Sequence, residues 1–479
     1  MNIYLPIEVK VRELEGKVLL ALAAAEKGHI VIIGAKKDTL HLAKKGYLPS
    51  GIVHDKSLTP GDYKIENFSK LKQNGHFITA QDEETGLLDE SFDHFAKRRF
   101  SERTISMADK IFAWGEHDAQ SLRNIFPEFA QKIVATGSPR VDFWRSEFNT
   151  YYQNHDDDLK PDILIVSNFG YPIDENPFWN RIARLRKAGY FERDPEMEKY
   201  MYENSAYQYR LLFHFIKMIR ALSEKFPDVQ ILVRPHPVEA EEAWEKLVGE
   251  IPNVTIERKG TISRVIRNTS VLIHNGCTSA LEASVSEVPR IAYRPIPHDL
   301  EREIPNNTSL QAFTFEELSK MVCDILGNGE SVNTEDIQLS TEDILNSRLA
   351  SLAGSLAADK MVEEWEDFRS TLDNQASVRQ FQDIRNEYTK KLRKGVFKRK
   401  LKRRAVDIRN FILGQTRKKN KGNLLKTKHK FPYLNHDEVT DIIENVQRSL
   451  DRFQSVSSVQ FGQNSYIIFN RESKDENSL

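Results

Sequence analysis

The stretch "NIYLPIEVKVRELEGKVLLALAAAEKGHIVIIG" (Asn2 to Gly34) decides the fold. "NIYLPI" reads as a strand. Leu14, Val18, Leu19, Leu22 and Ala25 then recur at helical spacing, Gly28 closes the helix, and "IVIIG" reads as the next strand. Strand, helix, strand in this order makes a right-handed βαβ unit with a parallel sheet behind it. The alternation continues through "GIVHDKS", "HFITAQDEE", "KIFAWGEHD" and "IVATGSPR".

"EFNTYYQNHDDDLKPD" is polar and reads as an interdomain linker. A second α/β series follows it. "ILIVSNFG" is a strand and loop, residues 195–225 form a long amphipathic helix, and "VQILVRPHP", "VTIERKG", "SVLIHNGCTSALEAS" and "PRIAYRP" supply further strands. The acidic, alanine-rich region 341–370 reads as helices that close this second domain. The expected fold is α/β, with two Rossmann-like doubly wound domains, 1–150 and 160–370, facing a cleft. A basic amphipathic segment, 380–430, and a small helical module, 431–479, come after them. In open α/β sheets, ligands bind beyond the carboxyl ends of the strands.

The bulk numbers agree with this outline. A chain of 479 residues is too long for one core. With 39% hydrophobic and 29% charged residues the composition is that of an ordinary soluble protein. Two cysteines, Cys277 and Cys323, make no disulfide framework and fit a reducing, cytoplasmic setting. No run has the roughly 20 apolar residues of a membrane span. "MNIYLPIEVKVREL" lacks the basic and apolar regions of a signal peptide.

Chemistry is expected at the strand exits. In "VLIHNGCTSALEAS" (Val271 to Ser284), the turn after the strand holds His274, Asn275 and Gly276, and the helix opens with Thr278 and Ser279. A helix N-terminus attracts phosphate, Gly276 lets backbone approach a ligand, and the two hydroxyls add donors. Glu282, one turn into the helix, joins the nucleotide-binding set. The alternative is that Thr278 is only an N-cap and Asn275 only a turn residue. "VRPHP" places Arg234 and His236 past another strand, on a loop stiffened by two prolines. Arg suits phosphate, and His can protonate a leaving oxygen; a rigid surface loop is the other reading. "VSNFG" offers Ser167, Asn168 and Gly170 to the same cleft, or is a plain βα turn.

In the first domain, "TAQDEETG" places Asp82, Glu83 and Glu84 after a strand. Three adjacent acids repel, and one that is partly buried has its pKa raised, as a base or nucleophile requires; a solvated acidic loop is the alternative. Glu8 and Glu13, beside Lys10 and Arg12, hold an acceptor or form surface ion pairs. Gly137 and Arg140 of "TGSPRVD" touch ligand or hold a hinge. There is no DxD between apolar runs, no HExxH and no CxxC, so no metal is expected. A Walker A loop and a GxGxxG fingerprint are also missing, which argues against an NTPase and a simple dehydrogenase.

"PIEVKVRELEGKVLLALAAAEKGHIVIIG", "DEETG", "TGSPRVD", "RPHP" and "HNGCTSALEA" in this order resemble the bacterial surface carbohydrate biosynthesis proteins, a set of GT-B-type glycosyltransferases. The resemblance covers roughly residues 1–300. The "RPHP" strand and the phosphate loop also resemble CDP-glycerol glycerophosphotransferases, capsule polysaccharide transferases and polysialyltransferases. The resemblance implies a nucleotide donor in the C-terminal domain and an acceptor in the N-terminal one. Arg234 and His236 match the HP motif, Thr278 and Ser279 the phosphate-binding hydroxyls, and Glu83 or Glu84 the catalytic acid. "DEETG" is one residue longer than the DEEG of the pattern, so which acid faces the cleft stays open. No cofactor or metal is implied. The first donor expected is CMP-linked Kdo or another nonulosonic acid, whose carboxylate and phosphate suit Arg234, His236, Arg264 and His274. The alternatives are a CDP-glycerol glycerophosphotransferase and a UDP-sugar epimerase of the same architecture. The acceptor is a surface polysaccharide or lipid-linked glycan.

From Lys390 to Lys430 there are 18 Lys or Arg and one acid, Asp407. Val396, Phe397, Leu401, Ile408, Phe411, Ile412 and Leu413 are interleaved among them. Such a segment suits an anionic leaflet, with its apolar residues at the interface. The expected location is therefore peripheral, at the inner face of the plasma membrane. A solvated helix or linker, or a nucleic-acid contact, are the other readings, and no nucleic-acid partner is expected.

Overall fold

The computed structural model describes residues 1–83, 95–96, 99–152, 160–173, 176–187, 189–193, 195–328, 335–372, 375–391, 431 and 433–472. Among these the chain divides into two units. The first takes the chain up to Phe143 together with the chain from Leu349 onward; the second takes Trp144–Arg348.

The first unit is built on an eight-stranded sheet in the order β13-β14-β2-β1-β3-β4-β5-β6. Its strands β1 (Asn2–Ile7), β2 (Ile30–Ala35), β3 (Ile52–Asp55), β4 (Phe77–Gln81), β5 (Lys110–Ala113) and β6 (Ile133–Ala135) pair in parallel. Every residue of β1 and β2 is buried. That is why they read as unbroken apolar runs: a parallel sheet is covered on both faces. The helix Lys10–Glu26 returns the chain between them and is buried along nearly its whole second half. Its small residues admit close neighbours; a Cβ on Gly16 would stand 3.0 Å from the Arg140 nitrogen.

The far edge of this sheet is closed by residues distant in sequence. Strand β13 (Val456–Gly462) pairs antiparallel with β14 (Ser465–Asn470), and β14 pairs antiparallel with β2, Ile468 opposite Val31. The approach leaves no room for a side chain at Gly34, where a Cβ would lie 2.4 Å from the Asn464 carbonyl oxygen. The expected helical module at 431–479 is thus one helix, His436–Leu450, followed by a hairpin. The hairpin's apolar residues fill an edge that β2 would otherwise leave open.

Two further expectations change. Region 341–370 was expected to close the second domain, but the chain from Leu349 lies with the first unit. Asp142 accepts from the Ala357 and Ala358 N–H groups at 2.9 and 3.1 Å, capping the helix Ala357–Glu366. Trp365 of that helix is fully buried and donates to Thr79 Oγ1 at 3.2 Å. The linker expected at 147–162 begins as structure: Phe148, Tyr151 and Tyr152 are buried in two short helical turns. Residues 153–159 of it lie outside the described residues.

The second unit carries a six-stranded, wholly parallel sheet in the order β12-β11-β10-β7-β8-β9. The strands are β7 (Ile163–Val166), β8 (Ile231–Arg234), β9 (Val254–Ile256), β10 (Val271–His274), β11 (Arg290–Tyr293) and β12 (Leu310–Ala312). Leu211, Leu212, Phe215, Met218, Ile219 and Leu222 of the helix Pro195–Lys225 pack on one face of it. Val265, Ile266 and Ala283 pack on the other. Beyond Lys391 the basic segment lies outside the described residues. Among the described residues no helix is long and apolar enough to cross a membrane.

Candidate functional site

Counted from β7, the second sheet has the order 3-2-1-4-5-6, in which the chain reverses direction between the first and fourth strands. That switch point separates β7 from β10. The loops leaving it are Ser167–Gly170 and Asn275–Thr278, with Pro235–Pro237 beside them at the end of β8. The three segments singled out from sequence in this half of the chain therefore converge on one end of one sheet.

Their local structure is organised by a residue the sequence reading missed. Glu239 is fully buried. Its carboxylate accepts from the Ser167 hydroxyl, the Phe169 N–H (2.7 Å), the Gly170 N–H (3.3 Å), the His236 N–H (3.2 Å) and Trp244 Nε1 (3.1 Å). One side chain thus ties the exit of β7 to the exit of β8. The signal lay three residues past His236, where an acid follows the second proline of a strand-exit loop.

Arg234 and His274, expected on a phosphate, are turned to their own backbone. Arg234 Nη1 donates to the Lys259 carbonyl (2.9 Å), and Nη2 to those of Arg258 (3.2 Å) and Gly260 (2.6 Å). Arg258 returns the contact through the Glu239 carbonyl at 3.0 Å. His274 is fully buried; Nδ1 accepts the Gly276 N–H at 3.0 Å, and Nε2 pairs with Ser309 Oγ at 2.9 Å. Burial, with Arg290 nearby, pushes its pKa down to about 3, so the ring is neutral. Both residues shape loops rather than face a ligand, because their donors meet buried carbonyl or hydroxyl oxygens first.

Gly276 has φ +82, and a Cβ there would stand 2.9 Å from Arg302 Cβ, so its freedom admits Arg302 rather than a ligand's backbone approach. Thr278 makes no capping bond with its side chain, and the Ser279 hydroxyl is 3.4 Å from the Cys277 sulfur. Glu282 is buried one turn further on, and its charge acts on Arg234. Asn168 and His236 are half-buried. His236 Nδ1 accepts the Val238 N–H at 3.3 Å, which leaves Nε2 as the proton-bearing nitrogen.

The first unit has its own switch point, between β1 and β3. Charged side chains cluster there. Lys36 reaches Asp55 at 3.1 Å, Lys64 reaches Asp55 at 2.9 Å, and Lys56 stands 3.5 Å from Glu8 and 3.8 Å from Glu13. Burial alone would raise the Asp55 carboxyl, but Lys64 and Lys36 hold it well below the usual range. Beside this lies a concavity of about 210 Å³ lined by Arg12, Glu13, Lys17, Glu83, Ser138 and Arg140. Lys17 Nζ is 3.3 Å from Glu83, both side chains being buried. Gly137 turns inward: its carbonyl accepts Gln81 Nε2 at 2.7 Å.

Glu13 is an acid here with a raised pKa. Burial and the Glu83 charge push it up, against the Glu8 N–H, Lys56 and Lys17. Its oxygens accept from Glu8 N–H (2.9 Å) and Val9 N–H (3.0 Å). Asp82 is bound by Arg99 through two hydrogen bonds, 3.0 and 3.1 Å. Glu84 lies outside the described residues. Of the expected catalytic acids, Glu13 and Glu83 share one concavity.

Two doubly wound α/β units, each with polar groups gathered at a switch point, define a protein of GT-B-like fold. No family profile matches the chain, and no curated protein does. Among solved structures it is similar to the wall teichoic acid polymerase TagF soaked with CDPG, at 11% identity and TM-score 0.49, over 78% of this chain and 90% of that one. It is also similar to S. aureus MnaA with UDP, at 12% identity and TM-score 0.44, over 78% and 97% of the two chains. A third is the UDP-GlcNAc 2-epimerase from Neisseria meningitidis bound to UDP-GlcNAc, at 12% identity and TM-score 0.43, over 78% and 100%.

Proposed function

We propose that the chain is a glycosyltransferase of surface-glycan synthesis that takes its sugar from a nucleotide-linked donor without a metal. The observation that carries this reading is the convergence of the Ser167, His236 and Asn275–Ser279 loops on the switch point of a sheet ordered as dinucleotide-binding sheets are. The donor nucleotide seats there. Thr278 and Ser279 offer hydroxyls to it, and His236 Nε2–H donates a hydrogen bond to the departing phosphate. Arg234, Glu239 and His274 hold the loops in place. Glu83, steadied by Lys17, takes the proton of the acceptor hydroxyl, with Glu13 beside it as a second carboxyl.

The quoted motifs favour a CMP-linked Kdo or other nonulosonic acid as donor and a surface polysaccharide or lipid-linked glycan as acceptor. The basic segment 380–430 then holds the enzyme to the anionic inner face of the plasma membrane. The test is calorimetry of the full chain with CMP, CDP, UDP and GDP, followed by turnover with the matching sugar donor. CMP is expected to bind tightest. His236→Ala is expected to lower turnover by roughly 10²–10⁴-fold with its melting temperature kept. Absence of binding by every nucleotide overturns the reading. Conversion of a free UDP-sugar with no acceptor present replaces it with an epimerase, and turnover of CDP-glycerol with a glycerophosphotransferase.

A further inference from the structure

The helix Pro195–Lys225 has 31 residues and gives one stripe of them to the second unit's core. A surface helix ordinarily turns charged and polar residues to the opposite side. Here that side carries exposed Tyr202, Ala206, Tyr209 and Phe213, with half-buried Ile216 one turn further on. Phe213 is 60% exposed, Tyr202 47% and Tyr209 42%. Scattered single apolar residues on a surface need no explanation, but a contiguous row of them marks an interaction surface. Phe178 braces Tyr202 from one side, the rings 5.5 Å apart, so the row is held in place before anything docks on it.

The spacing of the row points to what covers it. From Tyr202 to Ile216 the steps are 4, 3, 4 and 3 residues, the heptad alternation that keeps a seam about 21 Å long on one side of a helix. Another helix fills such a seam, each of its knobs entering a hole between four residues. Charge then selects the helix. On the exposed side Glu196 and Glu203 lie toward the N-terminal end, and Arg210 and Lys217 toward the C-terminal end. Lys199 stands 4.0 Å from Glu203 and offsets it in part. Arg210 and Lys217 enter no ion pair among the described residues. An anionic leaflet would be met by the two acids. A second copy of the helix, run antiparallel about a twofold axis, sets the acids of each copy toward the bases of the other.

We propose that this seam is a dimer interface between two copies of the chain. Phe213 of one copy packs on Tyr209 of the other, Ala206 packs on Ile216, and Glu203 faces Lys217. Ala206 is small and lets the helices approach. The two Arg210 guanidinium groups come nearest the axis, where the aromatic faces of the seam receive them. One pair of helices buries less than the roughly 1,600 Å² of a standard interface, so the dimer is reversible. The inference does not rest on the nucleotide reading, since none of these residues belongs to the candidate site.

The experiment is sedimentation velocity of the full chain over a range of concentrations. Wild type is expected to pass from the mass of one chain to twice that mass as concentration rises. Phe213→Glu is expected to stay monomeric throughout, with its melting temperature at low concentration and its nucleotide affinity kept. Glu203→Lys and Lys217→Glu are each expected to weaken the dimer by roughly tenfold, and the double variant to restore it, because the swap re-forms both symmetry-related pairs. A single-chain mass at every concentration overturns the dimer, as does a dimer that Phe213→Glu leaves intact. Loss of the dimer in Phe213→Glu without rescue by the charge swap overturns the antiparallel pairing. Monomeric wild type whose sedimentation with anionic vesicles falls in Phe213→Glu replaces the second copy with a lipid surface. Each of these outcomes leaves the nucleotide reading standing.

Discussion

His274 shows how one residue's surroundings decide its role. The ring ends β10, is fully buried, and bridges the Gly276 N–H to Ser309 Oγ. Ser309 in turn donates to the Pro305 carbonyl at 2.8 Å, so the imidazole joins the loop after β10 to the turn that precedes β12. Its pKa falls to about 3 by burial, while in an unfolded chain it is about 6.5. The neutral ring is the form the fold accepts. Its stabilisation is fully present above about pH 6.5 and is lost as pH falls from there toward about 3, since the unfolded chain then binds the proton first. His274→Ala is expected to cost about 2–4 kcal/mol near neutral pH, through two unmet buried polar groups and a cavity. The gap to wild type should shrink steadily on acidification. His29, His54 and His76 also have lowered values, but they are present in both proteins and drop out of the difference. Urea melts of the two proteins across this pH range measure it, and a gap that stays constant would mean His274 is not buried neutral.

At the scale of the element, the helix Ala357–Glu366 completes the first unit's core although it follows the whole second unit in sequence. Trp365 meets the His54 ring at 5.7 Å and the Phe112 ring at 6.3 Å, edge-on to both, and its N–H reaches Thr79. Trp365→Ala is expected to cost about 3–5 kcal/mol, seen as a lower urea midpoint with no loss of nucleotide affinity in the second unit. A drop in that affinity as large as the drop in stability would contradict the division into units. Elements whose signal is local were legible in the sequence. "NIYLPI", "IVIIG" and "ILIV" are buried on both faces and read as apolar runs, and the helix 195–225 was placed at its observed limits. The hairpin "VSSVQFG" and "SYIIFN" was not, because what makes it a pair of strands is the open edge of β2, more than 400 positions earlier in the chain. The site was legible to the same degree. Strand order brought the Ser167, His236 and Asn275 loops together as the motifs implied, but Arg234 and His274 turned out to serve carbonyls and hydroxyls that lie on other loops, such as 258–260. Residue type announces what a side chain can donate to; only the fold supplies the recipient.

Across the whole molecule, charge is distributed in two different ways. At the first unit's switch point, Glu8, Glu13, Asp55 and Glu83 face Lys17, Lys36, Lys56 and Lys64, signs matched one to one within a few ångströms. Between Lys390 and Lys430 the sequence offers 18 basic residues and a single acid, so no such internal match is available there. The net charge of -1 results only because acids elsewhere offset this segment. Attraction to an anionic surface depends on local charge, since salt screens it beyond about 10 Å at 0.1 M ionic strength. Each basic residue held at such a surface contributes about 1 kcal/mol. The full chain is therefore expected to sediment with vesicles containing phosphatidylserine and not with pure phosphatidylcholine, and to be released by high salt. Deleting residues 392–430 is expected to abolish sedimentation while leaving nucleotide affinity unchanged, because the strands of the second unit's sheet all come from residues 163–312. Equal sedimentation with both kinds of vesicle would point to the interleaved Val, Phe, Ile and Leu residues as the driving force instead, and persistence after the deletion would place the membrane contact on one of the two α/β units.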